Sequence, residues 1–283
     1  MNTILFKDYF KLKQREDKLK FVNIPINTDI EQYIDALVLS HQDGIWYAEA
    51  NNLIVDFFEE LINAIKQKDD SKALYLLGNL SEPNETHFGF SSNMPDGCGI
   101  GNEQALFILK RLKKSKAVQT GHLKDLSDCE LLIQGIGSDK ISDITTNVIR
   151  GKLIEFTEEQ CKLHNIPTKT VMSNGYWSAE DKKWTRRLAS LPHYNNKPIL
   201  LVPKNIVRYK TTSNYRVVYE RIIEYLQSWN LDMNTSLVRV LKNGRRYVPK
   251  KTLKDKYKCS KEFIFEFIEE NPEILDKYKR TRK

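Results

Sequence analysis

Residues Asp128 to Arg150 read DCELLIQGIGSDKISDITTNVIR, and the fold class turns on how this stretch is divided. Leu131, Leu132 and Ile133 form a short apolar run of strand character. Gly135-Ile136-Gly137 supplies a turn, and a helix is expected from Ser138 or Asp139. On that helix Asp139, Asp143, Asn147 and Arg150 recur at i, i+4, i+8 and i+11, so the four side chains share one face. Ile141, Ile144 and Val148, with Ile149 at the edge, form the opposite stripe and face a core. A strand, a glycine turn and an amphipathic helix in succession predict an α+β protein, mainly helical. The expected plan is a small mixed sheet, a helical N-terminal part and a basic C-terminal part.

Upstream, residues 49–66 show apolar Leu53, Phe57, Leu61 and Ile65 every four residues with acids on the other face, a framework helix. A second helical piece is expected over residues 73–80, and a short charged one near the N-terminus. Asp35 lies among apolar neighbours, as a turn residue or as a site carboxylate. Residues 81–102 hold four of the chain's glycines and two prolines without periodicity. Within them Pro95 to Gly101 leads into a helix over residues 102–114, with Leu106, Leu109 and Leu112 inward. A glycine loop opening a helix offers amides to an anion, although neither a P-loop nor a dinucleotide fingerprint is present.

Downstream, Gly151 suggests a bend or a break in a helix that would otherwise reach His164. Ile199 to Val202 reads as a buried strand, with Lys204 just past it as a site cation or a solvated strand end. Helices are expected over residues 215–229 and 261–268, a tight turn at Asn243-Gly244, and a frayed basic tail from Lys277. Cys98, Cys129, Cys161 and Cys259 are widely spaced and the five histidines scattered, which gives no zinc signature. No apolar run approaches the roughly 18–20 residues that span a bilayer, and no secretory h-region opens the chain. A cytoplasmic protein without membrane association is the expectation.

Charge divides the chain near residue 167. Residues 168–283 carry 26 Lys and Arg against 12 Asp and Glu, whereas residues 1–167 carry 19 against 25. This composition predicts an acidic, mainly helical domain over 1–167 bearing the glycine loop and the Asp139 helix. Residues 168–283 form a basic α+β region, either a second domain or a subdomain. A basic third suits a polyanion, and ordinary solubilising lysine is the alternative. Lys182, Lys183, Arg186 and Arg187 are interleaved with Tyr176, Trp177 and Trp184, as in a stacking and phosphate surface. The same residues could instead anchor the two halves together. Arg245, Arg246, Lys250 and Lys251 form the second basic group expected to contact nucleic acid.

Carboxylates four residues apart on a helix repel by a few tenths of a kcal/mol, a cost that a cation between them removes. Mg²⁺ or Mn²⁺ needs only one or two protein carboxylates beside water and phosphate oxygens. Asp139 and Asp143 are therefore candidate metal ligands, with Asn147, Arg150 and Lys204 assisting. A capped, solvated helix face paired with Arg150 is the competing reading. Glu180-Asp181-Lys182 has the E-x-K form of restriction-type nucleases but no strand character, and no HNH signature is present.

The segments GIGSDKISDITTNVIR, EFTEEQCKLHNIP and KPILLVPK, spanning roughly Asp128 to Lys204, resemble a pattern in poorly characterised bacterial proteins of phage-defence loci. The resemblance implies a role in antiviral defence. Together with the carboxylate pair and the basic region, it leads to the expectation of a metal-dependent nuclease acting on nucleic acid, DNA rather than RNA. Two alternatives stand beside it. One is a non-catalytic subunit binding nucleic acid or a partner protein of the same locus. The other is an enzyme of a small nucleotide using the Gly97 to Gly101 loop.

Overall fold

The computed structural model describes residues 2–89, 102–119, 121, 123, 125–209 and 214–280. The protein is α+β and mainly helical, 55% helix against 13% strand. The strands pair only in antiparallel twos among the described residues, so helices carry the architecture.

The N-terminal segment forms a short helix, α1 (Phe6–Tyr9), and a 3₁₀ turn over Glu16–Lys18 before reaching β1 (Gln32–Ile34). Asp35 follows as the cap of α2 (Ala36–Ser40), accepting from the Leu37 and Val38 amides at 3.0 and 3.1 Å. The structural alternative for this residue therefore holds. Helix α3 (Ile45–Lys66) and α4 (Asp70–Gly78) come next, then α5 (Asn102–Lys114) and α6 (Lys116–Gln119). On α5 the inward residues are Ala105, Ile108, Leu109 and Leu112, while Leu106 is half exposed, contrary to expectation.

Leu131 and Leu132 are not strand. They end helix α7 (Leu126–Leu132), which Asp125 and Asp128 start with a reciprocal capping box. The glycine turn is where the sequence puts it, with Gly135 at φ 82°. Helix α8 (Ser138–His164) then runs unbroken for 27 residues and ends at left-handed Asn165. Gly151 marks no break. A Cβ there would lie 2.8 Å from the Tyr176 ring, so glycine is needed for close approach rather than for bending.

Helix α8 is buried on almost every side from Ile141 to Ile154. Its hydroxyls tolerate this because Thr145, Thr146 and Thr157 each donate to the carbonyl four residues back at 2.7 Å. Four strands follow, β2 (Lys169–Met172), β3 (Tyr176–Ser178), β4 (Lys183–Thr185) and β5 (Leu188–Leu191), and around α8 lie α3, α7, β1, β3 and β5. The Ile34 amide donates to Ser142 Oγ at 3.0 Å, seating β1 on the first turns of α8.

After β6 (His193–Tyr194) and β7 (Lys197–Pro198), residues Ile199 to Val202 are buried but join no ladder. Their backbone bonds go instead to Pro192, Glu85, Thr157 and Val22. Strand β8 (Val207–Tyr209) pairs with β1. The C-terminal part comprises α9 (Asn214–Asp232), a hairpin of β9 (Arg239–Val240) and β10 (Arg246–Tyr247), and helices α10 (Lys250–Lys256), α11 (Lys261–Glu270) and α12 (Glu273–Arg280). Trp229, expected inward on α9, is half exposed.

The segment expected to fray is helical to Arg280. Tyr278 is buried, and Lys279 pairs with Asp125 and Asp128 at 2.6 and 2.7 Å. One principal core joins Phe57, Ile144 and Leu153 with Trp177, Ile222 and Ile264, so packing runs across the composition boundary at residue 167. A smaller core gathers Phe6, Phe21, Phe156 and Leu201.

Candidate functional site

The four residues of the α8 face divide sharply by depth. Asp139 is exposed in the first turn, Asp143 is half-buried, and Asn147 and Arg150 are wholly enclosed. The solvated-face alternative fails at the deep end. Arg150 Nε donates to Glu85 Oε1 at 2.7 Å, and its Nη1 donates to Asn147 Oδ1 at 2.9 Å and to the Gly175 carbonyl. Asn147 Oδ1 also accepts from the Ser81 amide at 3.0 Å. Its Nδ2 donates to the Ser81 and Asp143 carbonyls at 2.6 and 2.7 Å. Both side chains are therefore committed to joining α8, the segment after α4 and the turn before β3. Neither is placed to meet a phosphate, which corrects the assisting roles expected of them.

That clamp has a consequence for the acids. Fixing Ser81 against α8 sets Glu82 beside the first turns, where its charge acts on Asp143. Burial, with the charges of Asp139 and Glu82 adding to it and Lys140 giving partial relief, pushes the Asp143 carboxyl up to about 7. Glu82 is itself raised, first by burial and then by Asp139 and Asp29. Tyr33, on β1, is raised by burial and by the charges of Asp139, Glu31 and Asp143. Asp139, Asp143 and Glu82 thus form one electrostatic group at the head of α8. No three His, Cys, Asp or Glu side chains converge as a metal-ligand set among the described residues. What the site offers a cation is the pair Asp139 and Asp143, completed by water or by a ligand's oxygens.

A cavity of about 510 Å³ opens beside Asp139, lined also by Glu130, Gly137, Tyr215, Cys259 and Lys261. Its floor includes the start of α8, whose N-cap, Gly137, supplies no side-chain bond. First-turn amides and the helix dipole there favour an anion. Lys261 Nζ donates to the Ile133 and Ile136 carbonyls at 2.7 and 2.6 Å, and burial lowers its ammonium to about 8. The cavity therefore sets a cation and a positive helix end beside the Asp139 carboxylate. Glu82 and Lys261 were not singled out in the sequence. Each is far from Asp139 along the chain, and only the folded packing places it there.

The remaining candidates lie elsewhere. Lys204 donates its ammonium to the Glu16 carbonyl and its amide to the Lys20 carbonyl at 3.0 Å; it fastens the N-terminal segment and has no bond to Asp139 or Asp143. Lys182 pairs with Asp56, and Arg187 with Glu158 at 2.9 Å. Lys183 lies 3.7 Å from Asp181, and Arg186 is exposed. Trp177 Nε1 donates to Asp56 at 2.7 Å and Trp184 Nε1 to the Leu76 carbonyl at 3.1 Å. Both rings also pack on Phe57. This segment is an anchor between the two parts of the chain, the alternative to a stacking surface. Arg245 and Lys251 are exposed, whereas Arg246 and Lys250 bond to neighbouring groups. The glycine loop Pro95 to Gly101 lies outside the described residues.

No helix among the described residues is long and apolar enough to cross a membrane. No curated protein and no solved structure matches the chain. The model of one family matches residues 11–214, which include the whole of α8, the Glu82 segment and the Arg150 clamp. That match takes in well over half of the chain, and the protein belongs to this family, the Domain of unknown function (DUF8370).

Proposed function

We propose that this protein is a divalent-cation-dependent phosphodiesterase acting on nucleic acid, DNA rather than RNA, in bacterial antiviral defence. The observation that carries the reading is the state of Asp143. It is a largely buried carboxylate with Asp139 and Glu82 as like-charged neighbours, pushed up to about 7 by that burial and those charges, one helical turn from Asp139, which lines a cavity that also holds a lysine. Mutual repulsion of this kind is what a bound cation relieves. Asp139 and Asp143 would hold Mg²⁺ or Mn²⁺, which supplies charge neutralisation and polarisation of phosphoryl oxygens when bound. Lys261 and the first amides of α8 would receive the phosphate. Asn147 and Arg150 act as positioning residues, through Ser81 and the helix. The defence setting comes from the resemblance of the α8 segment and KPILLVPK alone.

A second reading is a non-catalytic subunit that binds nucleic acid or a partner protein. The commitment of Asn147 and Arg150 to internal bonds favours it, since neither is then free to meet a substrate. The test incubates wild type and Asp143→Asn with DNA, RNA and free nucleotides, each with Mg²⁺, Mn²⁺ or chelator. Metal-dependent cleavage of DNA, lost in the folded variant, is the expected result. Turnover of no substrate would favour the subunit, and cleavage retained by the variant would remove Asp143 from the site.

A further inference from the structure

Between Met233 and Lys254 the chain carries seven Lys and Arg residues and no Asp or Glu. This stretch lies beyond the residues that the family model matches. It folds as the β9–β10 hairpin followed by α10, with Val240 opposite Arg246 and Arg239 opposite Tyr247. The turn closes through Leu241 and Arg245, with Gly244 at φ 82°.

The seven cations do two different jobs. Arg246 donates to the Leu231 carbonyl and to Asn234 Oδ1, both at 2.8 Å, which staples one hairpin face to the end of α9. Lys250 and Lys254 pair with Glu224 and Glu220 of α9 at 3.0 and 2.6 Å. These three hold the hairpin and α10 in place. Arg239, Lys242, Arg245 and Lys251 are exposed, and none pairs with an acid among the described residues. The result is a fixed, projecting element whose remaining charge is all of one sign.

Protein interfaces centre on apolar area and are depleted in lysine, whereas nucleic-acid interfaces are polar and strongly positive. The earlier basic group contrasts with this one, because Lys182 and Arg187 already spend their charge on Asp56 and Glu158.

We propose that the β9–β10 hairpin grips the phosphodiester backbone of a nucleic-acid substrate through Arg239, Lys242, Arg245 and Lys251. The identity of the polymer rests on the function proposed above, while the location of the grip rests on the hairpin itself.

The test is fluorescence anisotropy on a labelled 20-base-pair DNA duplex across a salt series, using the full chain without divalent metal. Removing one phosphate-neutralising cation should lower the slope of log K against log salt by about 0.9. The variant Arg239→Ala/Lys242→Ala/Arg245→Ala should therefore lower the slope by about 2.7 and bind about tenfold or more weakly at moderate salt. The charge-conserving Arg239→Lys/Lys242→Arg/Arg245→Lys variant should bind like wild type, as should Lys183→Ala/Arg186→Ala. Unchanged affinity and slope in the alanine variant would overturn the proposal. So would loss of binding in Lys183→Ala/Arg186→Ala alone, or wild type that binds polyglutamate in place of DNA, which would mark an acidic protein as the partner. Hairpin-dependent binding in a protein that cleaves nothing would sustain the grip while removing the catalytic reading.

Discussion

Replacing Asp143 by asparagine should stabilise the protein, and by an amount that depends on pH. The carboxyl titrates at about 7 in the fold against a reference value of 3.8, because burial, Asp139 and Glu82 all disfavour its charge. Between those values the native state holds more proton than the unfolded chain, so stability falls as pH rises from about 4 to about 7 and then levels off. At 1.36 kcal/mol per unit the full penalty at pH 8 is roughly 4 kcal/mol. Asparagine keeps the shape and removes the charge. In chelator, urea unfolding of wild type and Asp143→Asn should differ little at pH 4 and by several kcal/mol at pH 8, the variant being the more stable. Equal stability at pH 8, or the same difference at both pH values, would refute the placement of Asp143 among like charges.

Three further outcomes follow from the packing. Arg150→Met should cost roughly 3–5 kcal/mol by leaving the enclosed Glu85 carboxylate unpaired, and adding Glu85→Gln should recover part of it, as denaturant midpoints would record. Gly151→Ala should destabilise by about 1 kcal/mol or more, since the gain in helix propensity is smaller than the cost of displacing Tyr176. In a Tyr176→Ala background the same change should instead stabilise, and a calorimetric double-mutant cycle reads the reversal. Lys279→Met should cost roughly 2–4 kcal/mol by removing the cation that pairs with buried Asp128, with amide exchange in α12 rising accordingly.

Where periodicity was strong, the sequence was a good guide. The starts of α5 and α8 and the turn at Gly244 are local consequences of spacing and residue type. The failures have equally local causes. Leu131 and Leu132 suit a strand or a buried helix alike, and the deciding signal was the Asp125–Asp128 capping box just upstream. Ile199 to Val202 is as buried as a central strand, yet its backbone partners are a proline carbonyl and a threonine hydroxyl, which no pattern of side chains announces. Lys277 to Arg280 looked like a solvated tail because the acids that Lys279 meets lie on α7. Of the site, Asp139 and Asp143 could be read from their shared face. The removal of Asn147 and Arg150 into a buried clamp, and the arrival of Glu82 and Lys261, are tertiary events.

The central claim, that Asp139 and Asp143 together hold a divalent cation, is tested most directly by counting bound Mn²⁺. Electron paramagnetic resonance of free Mn²⁺ during titration at pH 8 should show one ion bound per chain. That ion should be lost in both Asp139→Asn and Asp143→Asn, although the second variant is the more stable protein. Absence of bound ion in wild type, or binding that survives both substitutions, would contradict the account.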